Sequence, residues 1–290
     1  MLRSIFKNTL LALVLLQITN VTAAVVTSHY QGLAVNANME LTEEVDKPVF
    51  LILHGTLAWH GMELPKALQT LLADEGYPSL AISLSYGVDN RSGFYNCEQG
   101  LYSGQGAAVA EIDHWIDYLQ QQGYTKIAVI AHSRGGAQMA DYSLRHSDKI
   151  TQLHLIAPMH WSMQSSRERY DAQHTESLAQ VLERIEQNPQ QLLLEQDVLS
   201  CEKTTVSAAA FRSYYSPVPE KNTPALLSSV KVKTSVYLGS NDPLTPGFMA
   251  QQALFSSNPL IDLVMIEDAD HFFRDLYADE IIEDILERLE

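Results

Sequence analysis

Short, continuous apolar runs recur along this chain, and most are followed by a stretch with helical spacing. The runs are Val49–Leu53, Pro78–Leu84, Lys126–Ala131, Ile150–Ala157, Lys233–Gly239 and Leu260–Ile266. An apolar run without alternation suits a strand buried on both faces of a parallel sheet. Between them, helical periodicity covers Leu64–Glu75, Gln105–Gln122 and Arg134–His146, with Gly76 and Gly123 closing the first two. Strands alternating with helices, joined by connections long enough for right-handed crossovers, predict an α/β fold with a mostly parallel, doubly wound sheet. Ahead of this pattern, residues 25–45 read as one or two strands of an edge hairpin.

The alternation breaks at Met159–Ser229. That stretch holds two or three helical segments, with Ser177–Asn188 the clearest, and no convincing strand. The pattern then resumes with Lys233–Gly239. Thr245-Pro246 reads as an N-cap followed by proline at the first helical position, and Phe272–Leu289 reads as a closing helix. The expected organisation is a core in two parts, 24–158 and 230–290, interrupted by a helical insertion at 159–229. Insertions of this length in compact domains are usually functional. No internal repeat points to a solenoid or propeller.

Residues 1–23 differ in kind. Arg3 and Lys7 precede the apolar run Leu10–Leu16, and Val21-Thr22-Ala23 supplies small residues before a cut expected after Ala23. This is the layout of a secretory signal peptide, so export to the periplasm or beyond is expected. The run is short for a membrane span, which needs about 20 apolar residues. No later segment is long and apolar enough to serve as one. The formal charge of −16 becomes −18 when Arg3 and Lys7 are removed. Such acidity disfavours nucleic acid and anionic lipid as partners. In an exported chain the two cysteines, Cys97 and Cys201, are expected to pair.

The sharpest local feature is Ala131-His132-Ser133-Arg134-Gly135-Gly136, set between a buried strand and a helix. A serine on such a turn is held in a strained backbone conformation, with its hydroxyl above the sheet edge. Ala131 and Gly135 provide the small residues that let strand and helix approach. A serine hydroxyl near pH 7 needs a base, and the base needs an orienting carboxylate. Sites in open α/β sheets form at the carboxyl ends of strands. Asp242 stands just past one later strand and His271 just past the next, in the order Ser133, Asp242, His271. For a developing oxyanion, the expected donors are the backbone N–H groups of Arg134 and of Thr56, with Leu57 second to Thr56. His54 reads as structural beneath that loop. Met159, Trp161, Met163, Tyr170, Phe211, Tyr214 and Tyr215 in the insertion read mostly as core, with some lining an apolar acyl pocket. No metal-ligand cluster, P-loop or dinucleotide fingerprint occurs, so no cofactor is expected.

The chain resembles the α/β-hydrolase superfamily over about 33–158 and 230–290. The likeness rests on His54-Gly55, the elbow at 131–135, Asp242 and His271. More narrowly, it is similar to exported bacterial members of unassigned substrate. The insertion falls where the family carries its cap. Ala131 departs from the pattern by replacing the usual first glycine of the elbow. The resemblance implies a serine hydrolase acting on a carboxylic ester of a small molecule or acyl group through an acyl-enzyme. The same triad would serve a peptidase, thioesterase or acyltransferase, and a binding protein without chemistry could use the same fold. Neither the natural substrate nor the oligomeric state is fixed by these residues.

Overall fold

The computed structural model describes residues 22–41, 46–218 and 221–289. In chain order the first elements are β1 (Thr22–Tyr30), β2 (Leu33–Leu41), β3 (Val49–Leu53), α1 (Glu63–Asp74), β4 (Ser79–Ile82), α2 (Ala107–Gln121), β5 (Ile127–His132), α3 (Arg134–Arg145) and β6 (Gln152–Ile156). The insertion follows with α4 (Met163–Gln173), α5 (Leu178–Gln187), β7 (Leu192–Val198), β8 (Cys201–Ser207), α6 (Ala208–Tyr215) and α7 (Thr223–Leu227). Last come β9 (Lys233–Gly239), α8 (Thr245–Met249), β10 (Ile261–Ile266) and α9 (Leu276–Glu287). The expected signal segment lies outside the described residues up to position 21, and the cut after Ala23 would fall at the start of β1.

Eight strands form one sheet in the order β1-β2-β4-β3-β5-β6-β9-β10. β1, β2 and β4 pair antiparallel, and every pairing from β4 across to β10 is parallel. The α/β, doubly wound reading is therefore observed. Every residue of β3 and β4 is buried, which is why those runs show no polar alternation. The period of two survives in three dimensions. Phe50 and Ile52 pack with Leu68 of α1 and Ile281 of α9, whereas Leu51 and Leu53 pack with Trp115 of α2 and Met139 of α3. The β1–β2 hairpin turns through Gln31 at φ 49° and Gly32 at φ 82°, the left-handed pair that a two-residue hairpin loop requires.

The structure corrects the insertion. Beyond its helices, it carries an antiparallel hairpin, β7–β8, where no strand was expected. Bulges break the register between Leu193 and Val198. Inward-facing Leu193 and Gln196 are thus three residues apart, while Leu192 and Leu194 are 52% and 71% exposed. Gln196 also points a polar group inward, donating to the Tyr170 hydroxyl at 2.6 Å. A bulge and a buried glutamine together erase the alternation that reveals a strand. β8 is tied to the loop after β4 in two ways. Leu101 N–H donates to the Thr205 carbonyl at 2.7 Å, and Cys97 is bonded to Cys201, with their Cα atoms 5.4 Å apart. The expected disulfide is present and joins the insertion to the core.

Two helix starts also move. α9 begins at Leu276 rather than Phe272, because Phe273 and Asp275 adopt φ of 47° and 57°. Phe273 is fully buried, so the chain after position 271 follows its anchoring side chain before it can coil. Thr245 is the first residue of α8, not its cap. Its hydroxyl donates to the Gly239 carbonyl at 2.8 Å, and Leu244 takes the capping position. No helix among the described residues is long and apolar enough to cross a membrane.

Candidate active site

Ser133 sits between the last residue of β5 and the first of α3, at φ 54° and ψ −118°. A residue with a β-carbon holds such a conformation only when its surroundings over-determine it. Here they do. A β-carbon at Gly135 would lie 2.4 Å from the His54 carbonyl oxygen, and one at Gly136 would lie 2.8 Å from Pro158 Cβ. The start of α3 thus presses on the loop after β3 and on the end of β6, and Ser133 is left at the sheet's carboxyl edge.

Asp242 and His271 reach Ser133 from the ends of β9 and β10. Gly239 lets the two loops touch, since a β-carbon there would lie 2.3 Å from the Ala269 carbonyl oxygen. His271 Nδ1 and Asp242 Oδ2 are 2.7 Å apart, and His271 Nε2 and Ser133 Oγ are 3.0 Å apart. Asp242 is 3% exposed. Burial alone would raise its pKa, but the hydrogen bonds from His271 and from Leu244 N–H outweigh it and hold the carboxyl below its ordinary value. The three residues singled out in the sequence are brought together in one hydrogen-bonded chain.

Thr56 and Arg134 are also adjacent. Arg134 is the first residue of α3, where backbone N–H groups have no partner within the helix. Its side chain does something the sequence did not suggest: Nε donates to Thr56 Oγ1 at 3.0 Å and Nη1 to Gln105 Oε1 at 2.9 Å. The two expected oxyanion donors are therefore tied by a side-chain bond. Leu57, the second choice, is buried and stands at φ 53°. His54 occupies the structural place expected of it. Its Nδ1 donates to the Gly55 carbonyl at 2.8 Å and its Nε2 accepts from Leu84 N–H at 3.1 Å. Burial, then the nearby Arg91 charge, push its pKa down to about 3, so it stays neutral.

Two neighbours escaped the sequence reading. His132, beside Ser133, donates from Nε2 to the His271 carbonyl at 2.8 Å and so fixes the backbone of the candidate base. Burial and the adjoining His271 lower its pKa to about 4. Its position was visible, but nothing in the sequence says which carbonyl it meets. Arg91, from the long loop after β4, donates Nη2 to the Ala58 carbonyl at 2.8 Å and Nε to the Leu84 carbonyl at 2.6 Å. It ties that loop to the one carrying Thr56.

Two cavities meet at Ser133, His271 and Thr56. One, of about 310 Å³, has apolar walls from Met62, Leu64, Pro65, Phe94 and Phe272. The other, of about 350 Å³, lies against the insertion and is lined by Met159, Trp161, Tyr170, Tyr214 and Tyr215 together with Arg134, Arg169, His160 and His174. Several of the insertion's aromatics do line a cavity, as expected, while Phe211 is core. The mostly apolar chamber, however, is built on the other side of Ser133 by residues outside the insertion, apart from Ser200.

A sequence model of the α/β-hydrolase fold matches residues 48–222, well over half of the chain. The chain belongs to the α/β-hydrolase fold family. Among solved structures, this α/β hydrolase is similar to Est1E from Butyrivibrio proteoclasticus with ferulic acid bound, at TM-score 0.66 and 16% identity, over 91% of this chain and 99% of that one. It is similar to the alpha/beta hydrolase domain-containing protein 10 from mouse, at TM-score 0.61 and 16% identity, over 92% and 100%. It is also similar to the thioesterase domain from the curacin biosynthetic pathway, at TM-score 0.57 and 16% identity, over 93% and 100%. At such identities the likeness is one of fold. No curated protein matches the chain in sequence.

Proposed function

We propose that this α/β hydrolase is an exported serine esterase with Ser133 as nucleophile, His271 as base and Asp242 as the carboxylate that orients it. The observation that carries the reading is the continuous chain Ser133 Oγ–His271 Nε2–His271 Nδ1–Asp242 Oδ2, at 3.0 and 2.7 Å, with Ser133 in the strained elbow conformation. His271 Nε2 takes the hydroxyl proton as Oγ attacks the ester carbonyl. The oxyanion is met by the N–H groups of Arg134 and Thr56. The imidazolium then returns the proton to the leaving alcohol, and an acyl-Ser133 ester remains. Water repeats the cycle and releases the acid. Residues 159–229 act as a cap that walls one side of the site. The Cys97–Cys201 bond supports export, because disulfides persist in oxidising compartments.

The test is a matched panel of short ester, thioester and amide substrates offered to the mature chain and to Ser133→Ala. The reading expects esters to be cleaved fastest and Ser133→Ala to lose at least about 1,000-fold in kcat. Full ester turnover by Ser133→Ala would refute it, and a strong preference for thioesters or amides would move the same triad to another acyl donor.

A further inference from the structure

The cavity beneath the insertion has an unusual charge for this chain. Acids outnumber bases 35 to 19 in the sequence, yet its lining includes Arg134, Arg169, His160, His174 and His271 and no Asp or Glu. Arg134 is the critical group. It is only 9% exposed, and its hydrogen bonds go to two neutral oxygens, Thr56 Oγ1 and Gln105 Oε1. Among the described residues no carboxylate pairs with it, and Nη2 has no acceptor. The guanidinium lies 5.2 Å from the centre of the Tyr214 ring. Burial lowers its pKa, and the neighbouring cation Arg169 adds to that. A buried charge without a counter-ion costs several kcal/mol, so retaining one beside a nucleophile calls for a partner supplied from outside. The walls therefore carry cations without carboxylates, whereas the chamber across Ser133 is mostly apolar and its one arginine, Arg274, is paired with Glu63 at 3.3 Å.

We propose that the substrate of this site is an ester with two unlike arms: an apolar arm beside Phe94 and Phe272, and an arm ending in a carboxylate held by Arg134. A carboxylate carries the single charge that matches one buried guanidinium and accepts from its planar fork. Arg169 and His160 line the approach to it. The proposal rests on Ser133 being the nucleophile only for turnover; the anion site stands on Arg134 and its surroundings.

The test uses monohexyl glutarate and its neutral counterpart, hexyl methyl glutarate. Calorimetric binding of each to Ser133→Ala needs no catalysis. The monoanion is expected to bind at least about tenfold more tightly, and the wild-type chain to favour it by a similar factor in kcat/KM. Arg134→Gln loosens Thr56 and lowers both rates, so the readout is the ratio between the two esters. That ratio falls to near one in Arg134→Gln and stays above one in Arg134→Lys. Arg169→Gln lowers it less. Equal binding of the two esters, absence of binding by either at millimolar concentration, or a ratio unchanged in a folded Arg134→Gln would overturn the proposal. Tight binding of the monoanion without hydrolysis by the wild type would instead refute the esterase reading and leave the anion site standing.

Discussion

An alanine at position 239 would set its β-carbon 2.3 Å from the Ala269 carbonyl oxygen, forcing the loop that carries His271 away from the one that carries Asp242. Displacements near 1 Å at a reacting centre cost about 100-fold, so Gly239→Ala should lower kcat/KM by about that factor. A kcat/KM equal to wild type would show that the loop contact does not set the geometry. Asp242→Asn keeps the shape but removes the charge proposed to orient the ring, and if Ser133, His271 and Asp242 act as a triad, kcat should fall about 1,000- to 10,000-fold. Steady-state kinetics on a neutral ester measures both. At this scale strand ends and chain order singled out Ser133, Asp242 and His271, and the structure brings the three within hydrogen-bonding distance. It was silent on His132 and on the Arg134 side chain. Those roles depend on which distant oxygen each meets, the His271 carbonyl for one and Thr56 Oγ1 for the other.

At the scale of elements, the buried strands and the helices of the core were legible because burial on both faces and period 3.6 leave plain patterns. Ser177–Asn188 was legible because Pro189 stops it, and the structure adds a reciprocal capping box between Ser177 and Gln180 that was not read from the sequence. The β7–β8 hairpin was hidden by its bulges and by the inward Gln196. Its attachment to the core carries a prediction. Cys97 and Cys201 are 104 positions apart, and chain-entropy models assign a closed loop of that size about 4–5 kcal/mol. The double variant Cys97→Ser, Cys201→Ser should therefore melt well below the parent and be indifferent to reductant, whereas the parent shifts toward it when reduced. Because Leu101 still pairs with β8, the variant should keep its fold at low temperature. Identical melting of parent and variant would show that the bridge adds nothing to stability.

The chain buries His54 and His154 and half-buries His132, none of them ion-paired to a carboxylate among the described residues. Burial lowers His54 and His154 to about 3 and His132 to about 4. In the unfolded chain each titrates near 6.5. Between these values the unfolded chain binds protons that the folded chain refuses, so stability falls with pH across that window. It is full above about 6.5, declines toward pH 4 and declines further toward 3. Asp242 adds a loss at the acid end, since its lowered pKa contributes stability above the ordinary aspartate value that disappears as the carboxyl is protonated. Urea midpoints between pH 8 and pH 4 should therefore drop steeply below 6.5, and a flat profile would contradict the buried, neutral state of these rings.

A small dialkyl fluorophosphonate, offered to the wild-type chain and to Ser133→Ala and followed by mass spectrometry of the peptides, asks directly whether the Ser133 hydroxyl is activated. The account predicts one adduct per chain, on Ser133, formed in the wild type and absent from the variant. An adduct on a different serine, equal labelling of the variant, or no adduct on a folded wild type would contradict it.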